Sequence, residues 1–167
     1  MLSFYFPPDL SAGSFRCNKL REKGIEIELI TTLPNRYSGF STHAESLEQF
    51  KGFTIHRIPL PEHKSGMFDQ AKAFLSFYKG ARKLTRDKSY DAVFSTSSRL
   101  FTAFLGARIA EAKRLPLYLD IRDIFLDTLN DVLSPKVTSV MLPLLNRVEK
   151  YTFKRAKRIN LVSKGFR

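Results

Sequence analysis

Short apolar segments alternate with segments of helical periodicity along the whole chain, and this alternation limits the possible folds most strongly. Six short segments have strand-type patterns: 2–6, 25–30, 53–58, 91–96, 116–121 and 158–162. The segments between them repeat apolar residues every three or four positions, most clearly at 68–85 and 137–151. The pattern predicts an α/β fold: a Rossmann-like, doubly wound, mainly parallel sheet of about six strands with helices on both faces and strand order 3-2-1-4-5-6.

Composition excludes several classes of protein. A chain with one cysteine, Cys17, cannot form an intramolecular disulfide, and no Cys/His cluster has metal-ligand spacing. We therefore expect a cytoplasmic location and no bound metal, with Cys17 as a small apolar residue in the first helix. No apolar run approaches the roughly 20 residues that span a bilayer, and no signal-peptide pattern is present. The histidines are expected to face solvent or to be satisfied, without an acidic partner: His43, His56 and His63.

A net charge of +12 is concentrated in two segments that read as helices. Between Gln70 and Lys88 there are six Lys/Arg and one acid, Asp87; between Arg147 and Arg167 there are eight and one acid, Glu149. Such patches favour an anionic partner, which could be a phosphorylated ligand, an acidic membrane surface or nucleic acid. A solvated basic surface is the alternative interpretation.

Ligands of doubly wound sheets bind beyond the carboxyl ends of the strands, and polar residues follow three of the predicted strands. These sets are Gly13, Ser14 and Arg16; Asn35, Arg36 and Tyr37; and Ser97, Ser98 and Arg99. The first suits a phosphate at a helix N-terminus, the second a sugar or phosphate, and the third an anion held by hydroxyl and N–H groups. The alternatives are a plain N-cap, a rigid surface turn and a second helix cap.

The strongest candidate site follows the fifth predicted strand. Asp120, Arg122 and Asp123 stand at the end of a buried strand, where charged groups are costly unless they are paired. The alternative is an Asp–Arg pair with a carboxylate capping the next helix. The acids lack the D-x-D spacing of metal-dependent transferases, so no metal is predicted.

Taken together, these motifs resemble bacterial glycosyltransferases of family 4, which have the GT-B fold. The resemblance covers nearly the whole chain. In order, it rests on Pro7-Pro8-Asp9, Ala12-Gly13-Ser14-Phe15-Arg16, Thr31-Thr32-Leu33-Pro34-Asn35-Arg36-Tyr37, Ser65-Gly66-Met67, Tyr90-Asp91, Ser97-Ser98-Arg99-Leu100-Phe101, Asp120-Ile121-Arg122-Asp123 and Asn160-Leu161-Val162-Ser163-Lys164-Gly165-Phe166. Within the family, the chain resembles enzymes of O-antigen and capsule assembly.

The resemblance implies the N-terminal half of a retaining, metal-independent enzyme that moves a sugar from a nucleotide-sugar donor to an acceptor. Gly13, Ser14 and Arg16 would approach the donor diphosphate, and Arg122 and Asp123 would lie beside the transferred sugar as catalytic residues. The acceptor, a saccharide often linked to polyprenyl diphosphate, would contact Asn35, Arg36, Tyr37, Ser97, Ser98, Arg99 and Asp120. No cofactor is implied beyond the donor substrate.

Residues 1–167 are accordingly expected to form one acceptor-side domain without the family's C-terminal donor-binding domain, and to be inactive alone. The first crossover is also short, because Gly24 follows Arg16 by only eight positions. The basic patches suggest peripheral contact with anionic lipid at the inner face of the cytoplasmic membrane.

Two other classes of protein compete with this interpretation. A basic nucleic-acid-binding α/β domain should show aromatic residues interleaved with basic ones, whereas most aromatics here belong to core patterns, so nucleic acid is not the expected partner. A nucleotide-binding Rossmann module should show a glycine fingerprint and an acid ending the second strand, where this chain has Thr31-Thr32.

Overall fold

The computed structural model describes residues 1–8, 13–34, 44–61, 67–97, 99–122 and 135–161, with backbone alone at 13–15, 67–68, 97 and 135–140. The chain divides into two compact units, Met1–Ser89 and Tyr90–Arg167. The elements, in order, are α1 (Gly13–Glu22), β1 (Ile27–Thr32), β2 (Leu47–Phe50), β3 (Phe53–Ile58), α2 (Met67–Thr85), β4 (Val93–Ser97), α3 (Leu100–Ala112), β5 (Leu117–Ile121), α4 (Pro135–Arg155) and β6 (Arg158–Leu161). The predicted α/β class, with Rossmann-like parallel sheets, is confirmed.

The sheet of the first unit has the order β1-β3-β2. β1 and β3 are parallel, and β2 pairs antiparallel with β3 across a tight turn in which Gly52 has φ +72°. On the other side of β1, Leu2 forms an isolated parallel bridge with Ile30. Across the sheet, β3, β1 and the segment 2–6 therefore lie side by side in that order. They correspond to the third, second and first predicted strands, so the 3-2-1 half of the predicted order is present.

The predicted first strand, 2–6, is not a strand beyond this single bridge. Its backbone bends at Phe4, and the Phe4 carbonyl accepts hydrogen bonds from the hydroxyls of Thr31 (3.3 Å) and Thr32 (2.8 Å). At Phe4, hydroxyl groups of β1 side chains thus take the place of the backbone hydrogen bonds that a pair of strands would form. The apolar residues remain core residues, because Phe4 packs edge-on against Phe77 of α2 and Phe6 against Phe53 of β3.

Helices lie on both faces of this sheet. Cys17 of α1 packs in a buried cluster with Leu29 and Ile55, which share one face because strand side chains alternate. α2 covers the opposite face, where Gly80 lies so close to Ile58 that an added Cβ would be 2.9 Å from the Ile58 Cδ1 atom. The first unit is therefore a three-layer α/β sandwich.

The buried stripe of α2 differs from the predicted one. The sequence pattern assigned Phe68, Ala71, Phe74, Leu75, Tyr78 and Ala81 to the core. In the structure Ala73, Phe77 and Ala81 are buried, whereas Leu75 is 50% exposed. The face of α2 that meets the sheet therefore runs through Ala73, Phe77 and Ala81, with Gly80 close to Ile58, and Phe74 and Tyr78 lie at its edge, half-buried.

The sheet of the second unit has the order β4-β5-β6, with all three strands parallel, as predicted for strands 4-5-6. α3 packs on β4 and β5 at Gly106, where an added Cβ would lie 2.8 Å from the Ser95 Cβ atom. α4 packs on α3 through a cluster that includes Leu100 and Leu145. α4 continues through Pro143, so this proline does not start a new helix.

The Cys17 thiol gives a direct test of the first unit's core. Cys17 is fully buried, and burial raises its pKa to about 11, above its ordinary value near 9. At pH 8 the native thiol should therefore alkylate with iodoacetamide at least about 100-fold more slowly than in the urea-unfolded chain. The raised pKa stabilises the fold below pH 9, and this contribution is lost as the pH rises toward 11. Rapid stoichiometric labelling of the native chain would contradict this packing.

Candidate functional site

Three polar residues form one row at the carboxyl ends of the second unit's strands. Thr96 of β4 is in register with Asp120 of β5, which is in register with Asn160 of β6. Each is the second-last residue of its strand. Because side chains alternate along a strand, the row lies on the face opposite Ser95 and Leu117, which pack against α3.

Asp120 is the centre of this row and is completely buried. One carboxylate oxygen accepts a hydrogen bond from Asn160 Nδ2 at 2.7 Å, and the other accepts from Arg122 Nε at 3.1 Å. Arg122 follows β5 directly and reaches Asp120 because residues two apart share a face. The contact is an ion pair in which the Arg122 side chain is 19% exposed. The Asp–Arg pairing considered from the sequence is therefore present.

Among the described residues, one terminal nitrogen of the Arg122 guanidinium lacks a hydrogen-bond partner. Its terminal Nη2 is buried and has no hydrogen-bond partner among the residues that the structure describes. A buried N–H group without a partner costs about 1–3 kcal/mol, which an oxygen of a bound ligand would offset. Arg122 is therefore a candidate ligand-contacting residue, held by Asp120, which Asn160 also contacts.

The remaining predicted site residues fall into two groups. Gly13 and Ser14 begin α1, so Ser14 lies inside the helix rather than before it, and Arg16 is half-buried in the first turn. Ser97 ends β4, and Arg99 precedes α3 with an extended backbone and no side-chain capping bond. Five predicted residues lie outside the described part of the chain: Asn35, Arg36, Tyr37, Ser98 and Asp123.

Sequence reasoning missed Arg57, near the carboxyl end of β3. Its side chain is 3% exposed and pairs with Glu48 on β2. It also donates to the carbonyl of Glu45 at 3.1 Å and, through Nη2, to the carbonyl of Pro7 at 2.9 Å. Arg57 thus fixes the start of the loop that leads into α1. Its position next to last in a predicted strand could have revealed it.

The prediction that no histidine pairs with an acid is wrong for His56. His56 Nε2 lies 2.6 Å from Glu28 Oε1, across the β1–β3 pair, and Lys88 Nζ also bonds to this Glu28 oxygen. The predicted absence rested on sequence spacing, whereas the two strands bring together residues 28 positions apart. This contact gives the His56 ring a polar partner, which agrees with the expectation that each histidine either is satisfied or faces solvent.

The described residues contain other features that bear on the site. A surface depression lined by Arg21, Glu22, Ile25 and Lys51 lies at the amino ends of β1 and β3, away from their carboxyl ends. No group of three or more His, Cys, Asp or Glu is placed to hold a metal ion in the described part of the chain. Likewise, no helix within it is long and apolar enough to cross a bilayer.

Fold and site together define a Rossmann-like α/β domain whose polar residues gather at the carboxyl ends of parallel strands. Residues 17–167 match the model of the glycosyl transferase 4-like domain, and the chain belongs to this family. The match supports the N-terminal domain of a GT-B glycosyltransferase, as the resemblance implied. No curated protein matches the chain.

Proposed function

We propose that residues 1–167 form the acceptor-side domain of a retaining, metal-independent glycosyltransferase. The observation that carries this proposal is the Asp120–Arg122–Asn160 cluster, with its unsatisfied buried N–H at a strand end, in a chain of the glycosyl transferase 4-like family. A hydrogen-bond donor of this kind is suited to an oxygen of a bound sugar. Hydrogen-bond donors that the fold holds in place stabilise the charge that develops during transfer, and they do not have to reorganise to do so.

The donor in this proposal is a nucleotide-activated hexose or N-acetylhexosamine. Gly13, Ser14 and Arg16, in the first turn of α1, approach its diphosphate, where the positive end of the helix dipole favours an anion. Arg122 and Asp123 lie beside the transferred sugar. A second, donor-binding domain completes the site, and residues 1–167 alone transfer no sugar.

The acceptor in this proposal is a saccharide linked to polyprenyl diphosphate, in the assembly of a surface polysaccharide such as O-antigen or capsule. Asn35, Arg36 and Tyr37 contact it together with Ser97, Ser98 and Arg99. Asp120 belongs to the acceptor site as well, because its carboxylate holds the Arg122 side chain in position.

Sugar transfer tests this proposal. The protein from its full coding sequence is incubated with a panel of UDP-, GDP- and dTDP-sugars and polyprenyl-diphosphate-linked saccharides. We expect one donor to be consumed, the anomeric configuration of the donor to be kept in the product by NMR, and the rate to survive EDTA. No transfer with any donor, an inverted product, or loss of activity in EDTA that a divalent cation restores would contradict it.

We also propose that the domain binds anionic lipid through an exposed basic face of α2. This basic face comprises Lys72, Lys79, Arg82 and Lys83 of α2 and Arg86 in the turn that follows the helix, which are all exposed and recur at helical spacing. Leu75 lies on the same side and is 50% exposed, so an apolar residue is available to enter the lipid boundary. Lys88 is not counted, because it bonds to Glu28. Such a face suits peripheral binding at the cytoplasmic leaflet.

Co-sedimentation with liposomes tests the lipid proposal. Each basic residue near anionic lipid contributes about 1 kcal/mol, so Lys79→Gln, Arg82→Gln and Lys83→Gln together should weaken binding about 100-fold. The control replaces Lys19, Lys23 and Lys51, which are exposed outside α2, and should retain most of the binding. Equal binding to neutral and anionic vesicles would contradict the proposal, as would tighter binding to duplex DNA at physiological salt.

A further inference from the structure

We propose that Arg57 is a positioning residue that holds two loops of the first unit in one arrangement. The first loop, residues 7–12, leads into α1, and the second loop, residues 33–46, connects β1 to β2. The inference rests on the proposed function, which places the donor diphosphate at the first turn of α1 and part of the acceptor at the second loop. Arg57 therefore acts on both substrates through these loops and needs no contact with either substrate.

The hydrogen bonds of Arg57 reach both loops. Nη2 donates to the Pro7 carbonyl at 2.9 Å, at the start of the first loop. Nη1 donates to the Glu45 carbonyl at 3.1 Å, near the end of the second loop, and pairs with the Glu48 carboxylate of β2. The backbone N–H of Arg57 also donates to the Ser46 carbonyl at 2.8 Å. One planar group with fixed donor directions thus ties the two loops to each other.

A residue of β1 adds a second hold on the chain before the first loop. Thr31 is in register with Arg57, and its hydroxyl donates to the Phe4 carbonyl at 3.3 Å, three positions before Pro7. Two neighbouring side chains at the carboxyl ends of β1 and β3 therefore bind carbonyls of the segment that enters this loop. Ligands of parallel sheets bind at these strand ends, so the position of Arg57 suits the role.

Stability alone is a weak reason for this arrangement. The Arg57 side chain is 3% exposed, and its Nε is buried without a hydrogen-bond partner among the residues that the structure describes. The desolvation of a buried ion pair often exceeds its attraction, and well-packed apolar residues in its place are often equally stable. Apolar residues cannot, however, fix backbone carbonyls of separate segments. The buried guanidinium therefore supports a positioning role.

Replacing the whole ion pair by apolar residues tests the inference. Arg57→Met with Glu48→Met removes both charges and the side-chain bonds to both loops. We expect the urea midpoint of the 167-residue chain to stay near its native value, because apolar replacement of a buried pair is tolerated. In the full protein, KM should rise at least about tenfold for both the nucleotide-sugar and the polyprenyl-diphosphate-linked saccharide that the transfer assay selects. Mere loss of folded protein would lower kcat and leave both KM values unchanged.

Glu28→Met with Lys88→Met is the matched control, because it removes another ion pair of the same unit, near the amino end of β1. Both KM values should stay within about twofold of the native values, since distant sites act independently. Arg57→Lys is a second test variant. Its single ammonium cannot reach both carbonyls as the guanidinium fork does, so both KM values should rise again. This variant decides the point if the double replacement does not fold.

Two results would overturn the inference. Native KM values in the Arg57 variants would show that the residue only stabilises the fold, and a higher KM for one substrate alone would show that it serves only one loop. Both results require a native protein that transfers sugar. If the native protein transfers none, the proposed function fails, and this inference fails with it.

Discussion

Phe77→Ala is expected to lower the free energy of unfolding by about 4 kcal/mol. Phe77 is completely buried in the middle of α2, and its ring packs edge-on against Phe4 with 5.2 Å between the ring centroids. Truncation removes this contact and leaves a cavity between the helix and the sheet. Urea denaturation followed by circular dichroism measures the loss as a lower midpoint.

Leu75→Ala is the matched control, because it truncates a large apolar residue two positions away on the same helix. Leu75 is 50% exposed, so its loss should change the free energy of unfolding by no more than about 0.5 kcal/mol. The sequence pattern had placed Leu75 in the core, and the two variants therefore distinguish the predicted stripe from the observed one. A large loss for Leu75→Ala with a small one for Phe77→Ala would contradict the structure.

Asp120→Ala is expected to cost about 3 kcal/mol of stability, a second large effect. The variant leaves Arg122 Nε and Asn160 Nδ2 without their shared carboxylate, and removing one partner of a buried ion pair leaves the other charge uncompensated. Partial exposure of Arg122 keeps the cost at the lower end of the range for buried pairs. The same urea titration measures it.

Asp91→Ala controls for the loss of one carboxylate in the same unit. Asp91 is exposed, so its replacement should leave the midpoint within about 0.5 kcal/mol of the native value. The milder Asp120→Asn keeps the shape of the side chain and should fall between the two. Equal stability of Asp120→Ala and Asp91→Ala would show that the buried pair does not hold the strand ends together.

The strands that are buried on a regular apolar pattern were predictable. β3 was predicted at its observed bounds, and β4 and β5 within about two residues, because alternating or continuous apolar residues mark them in the sequence. β6 was also predicted within about two residues, although its residues are mostly exposed. β2 was missed, since its four residues, Leu47–Phe50, are mostly exposed and carry no apolar alternation. Only the tight turn at Gly52 between two phenylalanines signals this hairpin.

Details that depend on tertiary contacts were not predictable. The segment 2–6 has a strand-like composition, yet the hydroxyls of Thr31 and Thr32 capture the Phe4 carbonyl in place of a ladder partner. In α2 the apolar residues cover more than one face, and only the approach of the helix to Ile58 at Gly80 selects which of them is buried.

The candidate site was found in part. The rule that ligands bind at strand ends located Asp120 and Arg122, but sequence could not show that Asp120 is completely buried behind Arg122. Asn160 and Arg57 stand next to last in their strands, so the same rule, applied to every strand, would have found both. Their hydrogen-bond partners lie 40 and 50 positions away in the chain and are visible only in the structure.

We propose Arg122 as the residue through which this domain meets the reacting sugar, and sugar transfer by Arg122→Gln tests that role most directly. Arg147→Gln, an exposed position on α4, is the matched control. In the full protein, Arg122→Gln should lower kcat/KM for transfer by about 100-fold or more, as expected for loss of a fixed donor at the reacting centre. Arg147→Gln should remain within about twofold of the native value. Full transfer by Arg122→Gln would contradict the assignment of this site.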